Sequence, residues 1–497
     1  MSTCVVIGAG VAGLATACLL QDEGYQVTVV DRLAEPGGRA GRFIDSGFQW
    51  DTGPSWYLMP EAFDRFFSLL GHRTSDFFEL SELAPAYRIF NEDGPAADID
   101  GNVVEFFDQR TPGQGARLSD YLATASDTYR MALKHFLYTT FNHPSQLLHP
   151  DILWRLPRLA KLLGQSLQSY VGSRFSDPLL RQVLTYPAVF LSTEPAAAPA
   201  LYSLMSHTDL TQGVRYPQGG FAAIIDALMN LATNLGVRFQ WETEATDIVT
   251  HGKRATAVTT DRGTLPADLV VSAADLHHTE TRLVPAHQRT FSDKFFARRD
   301  PGLSTVLVLA GVRGPLPTLA HHNLLFSRDW DPDFDAVFRE GGASNSIYVC
   351  KTSASDTSVA PEGCENLFIL VPTAADAAFG HGSAYGEESA EVAGIASRAL
   401  QQLAEWAEIP DLHDRILTQH TIGPADFVSR YHSLSAGAIG PAHTLFQSAF
   451  FRGRTKSKKI DNLFYAGATT VPGVGVPMCL ISAENVLTAV KELKLKV

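Results

Sequence analysis

Cys4-Val5-Val6-Ile7-Gly8-Ala9-Gly10-Val11-Ala12-Gly13 is the stretch that decides the fold. Four apolar residues in succession suit a strand covered on both faces, as in a parallel sheet. Gly8 permits the tight turn that follows, Gly10 leaves backbone open to a pyrophosphate, and Gly13 lets the next helix pack against the strand. That helix is expected from about Val11 to Glu23, with its N-terminus facing phosphate charge, and Val27–Val30 makes a second buried strand. Asp31 closes that strand at the spacing where a carboxylate accepts from a ribose hydroxyl. Gly8, Gly10, Ala12, Gly13 and Asp31, with Arg32 beside it, are therefore candidate cofactor-binding residues. The βαβ unit defines a dinucleotide site without separating NAD from FAD.

The next residues make that separation. Pro36-Gly37-Gly38-Arg39-Ala40-Gly41-Arg42 offers two glycines for close backbone approach and two guanidiniums for phosphate or flavin oxygens. The run resembles the GG-containing extension of the flavin amine oxidase superfamily, which includes carotenoid desaturases, and so implies FAD. Asp51-Thr52-Gly53-Pro54-Ser55 is similar to that superfamily's D-x-G-P segment beside the flavin. Gly38, Arg39, Asp51, Thr52, Gly53, Pro54 and Ser55 join the cofactor set on this resemblance. Tyr216-Pro217-Gln218-Gly219-Gly220 resembles the family's aromatic-P-x-G-G turn, and Ala245–Val249 looks like the strand whose backbone contacts adenine, with Thr246 as its candidate.

Far downstream, Asn462-Leu463-Phe464-Tyr465-Ala466-Gly467-Ala468-Thr469-Thr470-Val471-Pro472-Gly473-Val474-Gly475-Val476-Pro477 is similar to the C-terminal signature of bacterial phytoene desaturases. Physically, a strand ends at Gly467, and a loop brings backbone N–H groups and a helix N-terminus to the flavin, where they stabilise negative charge. Gly467, Gly475, Val476 and Pro477 complete the cofactor set, and Met478 stands where many relatives carry glycine. From Leu463 to Ala483 there is no charged residue, the length of a membrane-spanning helix. Three glycines and two prolines interrupt it, so it is expected to be strand, loop and helix start.

At 497 residues the chain exceeds one ordinary hydrophobic core. The expected class is α/β: a Rossmann-like FAD-binding domain assembled from discontinuous segments, an inserted mixed α+β substrate domain, and a helical, membrane-associating region. The FAD-binding pieces are 1–75, 211–280 and 426–497; residues 76–210 are the helical, substrate and membrane-association region and 281–425 the substrate domain. Anchoring elements are a helix from about Phe221 to Leu235 and β-rich runs such as Ser304–Ala310 and Asn366–Val371.

A net charge of -13 argues against a nucleic-acid partner. Five cysteines without a CxxC pair suit a reducing cytoplasm and are read as structural. The first residues lack the basic flank of a signal peptide. His321-His322 is the nearest approach to a metal-ligand pair, but neighbours on an extended segment are expected to point apart, so no metal is assigned.

The resemblance implies desaturation of a long isoprenoid polyene such as phytoene, by hydride transfer to flavin N5 and proton loss, with a quinone or oxygen as electron acceptor. It points to Asp151 for acid/base work, although Trp154 stands where a basic residue is expected. Because a polyene is insoluble in water, substrate enters from lipid. The segment from Asp151 to Arg181 carries five basic residues against two acidic ones among leucines and Trp154, the composition of an interfacial helix. The expected location is cytoplasmic, peripheral to the cytoplasmic membrane. A carotenoid isomerase, retinoid saturase or terminal carotenoid oxidase would carry nearly the same motifs. From another class comes an isoprenoid-binding module of the Rab GDP-dissociation-inhibitor type, without redox chemistry.

Overall fold

Strand β1 (Thr3–Ile7), helix α1 (Val11–Asp22) and strand β2 (Gln26–Val30) form the βαβ unit in the computed structural model, which describes residues 1–92, 94–140 and 149–494. β1 lies at the centre of a five-stranded parallel sheet. Leu269–Ser272 and then Leu463–Tyr465 flank it on one side, β2 and then Arg238–Gln240 on the other. Four of the strands are apolar throughout or nearly so because both faces are covered. Helices α1, Phe221–Leu235 and Val476–Lys494 pack over one face, and a three-stranded antiparallel sheet (Ala245–His251, Arg254–Thr260, Gly263–Pro266) covers the other. The sheet thus draws its strands from residues near 5, 30, 240, 270 and 465, a discontinuous assembly.

A second, seven-stranded sheet is centred on the ten-residue strands Ser304–Arg313 and Cys364–Thr373, which pair antiparallel along their whole length. Its far edge is made by Tyr87–Asn91 and Gly94–Ile99, and Tyr87–Asn91 pairs parallel with His322–Phe326. The stretch 76–210 is therefore not all helical: two of its segments extend this sheet. Their alternation is too short to stand out from sequence, and one register irregularity between Ile89 and Asn91 blurs it further.

The charge-free stretch resolves as expected into the strand Leu463–Tyr465, a loop, and the start of helix Val476–Lys494. Among the described residues no helix is long and apolar enough to cross a membrane.

Candidate active site

A cavity of about 740 Å³ opens at the C-terminal ends of the parallel strands, where an open α/β sheet presents its ligand crevice. Its walls at this end are Gly8, Gly10 and Ala12, then Asp31 and Arg32, Gly38 and Arg39, and Thr52, Gly53, Pro54 and Ser55. From the opposite end of the chain come Gly467, Gly475, Val476, Pro477 and Met478.

The donor set suits a dinucleotide. No side chain caps α1, so the N–H groups of its first turn remain available at the cavity. Asp31 Oδ2 accepts from the Ala9 N–H at 2.6 Å and Oδ1 from the Leu33 N–H at 2.8 Å, which fixes the carboxylate and leaves lone pairs for hydroxyls. Burial pushes this carboxyl up and the two N–H donors hold it back. Arg39 donates through Nη2 to Ser433 Oγ at 2.6 Å, while its buried Nε has no partner. An unsatisfied guanidinium donor on the wall of a glycine-rich cradle fits the oxygens of a bound FAD.

Three residues from the same motifs stand behind the wall. Gly13 is a packing position, since a Cβ there would lie 1.9 Å from the Gly8 oxygen. Asp51 turns away from the cavity: Oδ2 accepts the Phe221 N–H at 2.8 Å and Oδ1 the Ala222 N–H at 3.0 Å, capping the helix Phe221–Leu235. Thr246 is exposed and its hydroxyl donates to the Thr259 oxygen, so its neighbours Glu244 and Ala245 line the cavity instead.

Several wall residues carry no motif. His278 and His432 stack with ring centroids 3.8 Å apart and planes 2° apart. Burial holds His278 down at about 3, and it also lowers His432. Arg32 Nη1 lies 3.1 Å from His432 Nε2, and Glu244 Oε1 lies 3.0 Å from the same nitrogen. Tyr202, His443 and Ser448 form a polar cluster in which Tyr202 OH is 2.8 Å from His443 Nδ1, and the Val474 N–H donates to His443 Nε2 at 3.2 Å. They come from single positions spread over hundreds of residues, and only the tertiary fold brings them together.

Away from the cradle the cavity becomes apolar. Leu159 and Leu163 of helix Pro150–Leu163, Leu201 and Leu204, and Phe450 and Phe451 make that end. Asp151 heads the same helix but lies outside the cavity, with Lys134 Nζ at 2.9 Å and His135 Nε2 at 3.2 Å. Lys134 and then His135 hold this carboxylate down to about 2. On the basic side of this helix, Arg155 and Arg158 share the single carboxylate of Asp127, at 3.2 and 2.9 Å, and Lys161 is exposed. The helix also exposes apolar side chains. Trp154 is 85% accessible and Leu156 53%, and across the same end of the cavity Phe446 is 70% accessible.

His321 and His322 do not point apart. His321 precedes the strand, and the two rings lie 4.5 Å centroid to centroid, with Cys350 paired in register with His322. Nitrogen and sulfur atoms of the three residues come within 4.8 Å of one another. Cys350 and the other four cysteines are all free thiols, and burial pushes Cys350 up to about 12 and Cys479 up to about 11.

Residues 11–490 match the family model of flavin containing amine oxidoreductases, and the chain belongs to that family. The fold agrees with putrescine oxidase bound to putrescine, at a TM-score of 0.61 and 15% identity over 99% of both chains. Within the family the chain groups with the carotenoid and phytoene desaturases. It is 37% identical to the carotenoid 3,4-desaturase of Haloarcula japonica over 98% of this chain and 97% of that one. It is 34% identical to the phytoene dehydrogenase of Streptomyces griseus over 97% and 93%. The protein is an FAD-dependent oxidoreductase.

Proposed function

We propose that this protein desaturates a long isoprenoid polyene, a C40 chain such as phytoene, and that the cavity holds FAD at the glycine cradle and the polyene in its apolar end. One observation carries the reading: a single cavity joins the cradle of Gly8, Asp31 and Arg39 to a wall of leucine and phenylalanine. The names of its relatives, a carotenoid 3,4-desaturase and a phytoene dehydrogenase, support the same substrate class.

When bound, FAD supplies the two-electron acceptor that takes hydride from a saturated carbon flanked by alkenes. The protein's part is binding and positioning. The first-turn N–H groups of α1 and Arg39 would hold the pyrophosphate, and Asp31 would hold ribose hydroxyls. The helix starting at Val476 would stabilise negative charge on the ring, and the apolar walls align the chain and exclude water. Desaturation also requires a proton to leave the neighbouring carbon, and a quinone or oxygen would serve as the electron acceptor.

The strands between residues 281 and 425, joined by Tyr87–Ile99, serve as the substrate domain, since Leu307, Tyr348 and Leu370 of that sheet line the cavity. Peripheral membrane contact is proposed at the apolar end. There Trp154, Leu156 and Phe446 are exposed beside lining residues Leu159, Leu163 and Phe450, so a polyene passes from bilayer to cavity without crossing water.

The test is incubation of the FAD-loaded protein with phytoene, and separately with a more conjugated carotenoid, in liposomes, with products identified by chromatography and absorption spectrum. A longer chromophore from either substrate supports the reading and names the step. Unchanged spectra alongside turnover of another isoprenoid would move the assignment to an isomerase or saturase, and a preparation that stays colourless with FAD would leave only a binding role.

A further inference from the structure

The reaction proposed above releases a proton from carbon, and Asp151 lies outside the cavity. Two polar groups of the wall are poorly placed to accept that proton. His443 has both ring nitrogens engaged, one by Tyr202 and the other by the Val474 N–H. The chain from Ser55 through Tyr348 to His322 ends on a fully buried imidazole, where an added proton would sit without a counter-ion. Tyr129 is different. It lines the cavity, its hydroxyl donates to Glu61 Oε1, and Gln212 Nε2 donates to both oxygens of the same carboxylate, at 3.3 and 3.4 Å. Glu61 is only partly buried and heads the helix Pro60–Leu69, so the carboxylate reaches both the phenol and bulk water.

Tyr129 also stands in the right quarter of the cavity. It packs in one apolar cluster with Met59, Met478 and Ile481, and Met478 lies in the first turn of the helix that begins beside Gly475. Burial first, and then Glu61, push the phenol well above its ordinary range, so Tyr129 keeps its proton until another arrives.

Resting on the desaturase reading, we propose that Tyr129 is the catalytic residue that receives the proton lost by the polyene, and that Glu61 acts through it. Once hydride has left, the positive charge is spread over the adjacent double bond. The C–H bond on the neighbouring carbon breaks and its electron pair forms the new alkene. The proton passes to the Tyr129 oxygen as the phenol's own proton moves to the Glu61 carboxylate, which returns it to water. Positive polyene and negative carboxylate both become neutral, and until then the carboxylate and the phenol ring stabilise the cation.

Two measurements test this. In flavin-free protein, a long-chain hydrocarbon carrying a tertiary ammonium at mid-chain mimics the cation. It is expected to bind about tenfold tighter than its uncharged ether counterpart, and Glu61→Gln removes that preference. In FAD-loaded protein, Tyr129→Phe and Glu61→Gln each lower desaturation about a hundredfold with unchanged FAD affinity. Glu61→Asp recovers part of the loss. Equal binding of ammonium and ether, or variants within about twofold of the native rate, would overturn the proposal. A native protein that shows the Glu61-dependent ammonium preference yet oxidises no polyene would support the cation-binding role and refute the substrate reading instead.

Discussion

The Asp51 carboxylate and the Phe221 N–H, 170 positions apart in the chain, are joined by a hydrogen bond of 2.8 Å. Two separate stretches of the sequence, Asp51–Ser55 and Tyr216–Gly220, thereby become one device. Gly220 has φ +78°, and a Cβ there would lie 2.5 Å from Asp51 Oδ2, so the turn must be glycine for the carboxylate to reach the helix. Asp51→Ala leaves two helix-start N–H groups without an acceptor. It is expected to lower stability by about 1–3 kcal/mol, measured by denaturant unfolding, and Gly220→Ala to lower it comparably.

Asp31→Ala tests the cradle. Loss of a fixed carboxylate to ribose hydroxyls is worth roughly 1.5–3 kcal/mol, so FAD affinity is expected to fall about ten- to a hundredfold. Titration followed by flavin absorbance and fluorescence reads this directly. An affinity within about twofold of native would place the ribose elsewhere.

Asp209 makes stability depend on pH. Burial pushes its carboxyl from the ordinary 3.8 to about 7, against the hydrogen bonds from Tyr186 and Tyr87. The folded state therefore binds a proton that the unfolded chain has released. The stabilising contribution is complete below the ordinary carboxylate value and disappears as pH rises through about 7. Asp51, also raised to about 7 by burial, adds to the same slope. Asp209→Asn keeps the shape without the charge. It is expected to flatten thermal stability across this window and to exceed the native protein above it by on the order of 2 kcal/mol.

Sedimentation with vesicles tests the membrane face. Because Arg155 and Arg158 are already paired with Asp127, capture is expected on neutral phosphatidylcholine vesicles as well as on anionic ones. Trp154→Asp combined with Phe446→Asp is expected to lower the partition constant about thirtyfold, about 2 kcal/mol of lost apolar burial. Dependence on anionic lipid together with indifference to the double substitution would rule out apolar docking.

Glycine and proline made the cofactor end legible, because they mark backbone positions that few other residues can take. The helix Phe221–Leu235, bracketed by Gly220 and Gly236, emerged with its expected bounds, as did the break in the stretch before Val476. Thr246 was misplaced because a register irregularity between Ala245 and Asp247 interrupts the alternation that would tell inside from outside. Asp151 was misplaced for a different reason: spacing along a helix does not say which face another segment covers, and here Lys134 and His135 claim it. Tyr129, His443 and His432 left no local signal, since their meaning lies in partners supplied by distant segments.

The parallel sheet receives its edge strand Leu463–Tyr465 beside Leu269–Ser272 only after nearly the whole chain exists. During synthesis the glycine turn near residue 8 thus waits, half-walled, for the tail loop to arrive. Loading of the cofactor is therefore expected only after residues 467–478 have joined the wall, and a product that stops short of them is expected to lose it.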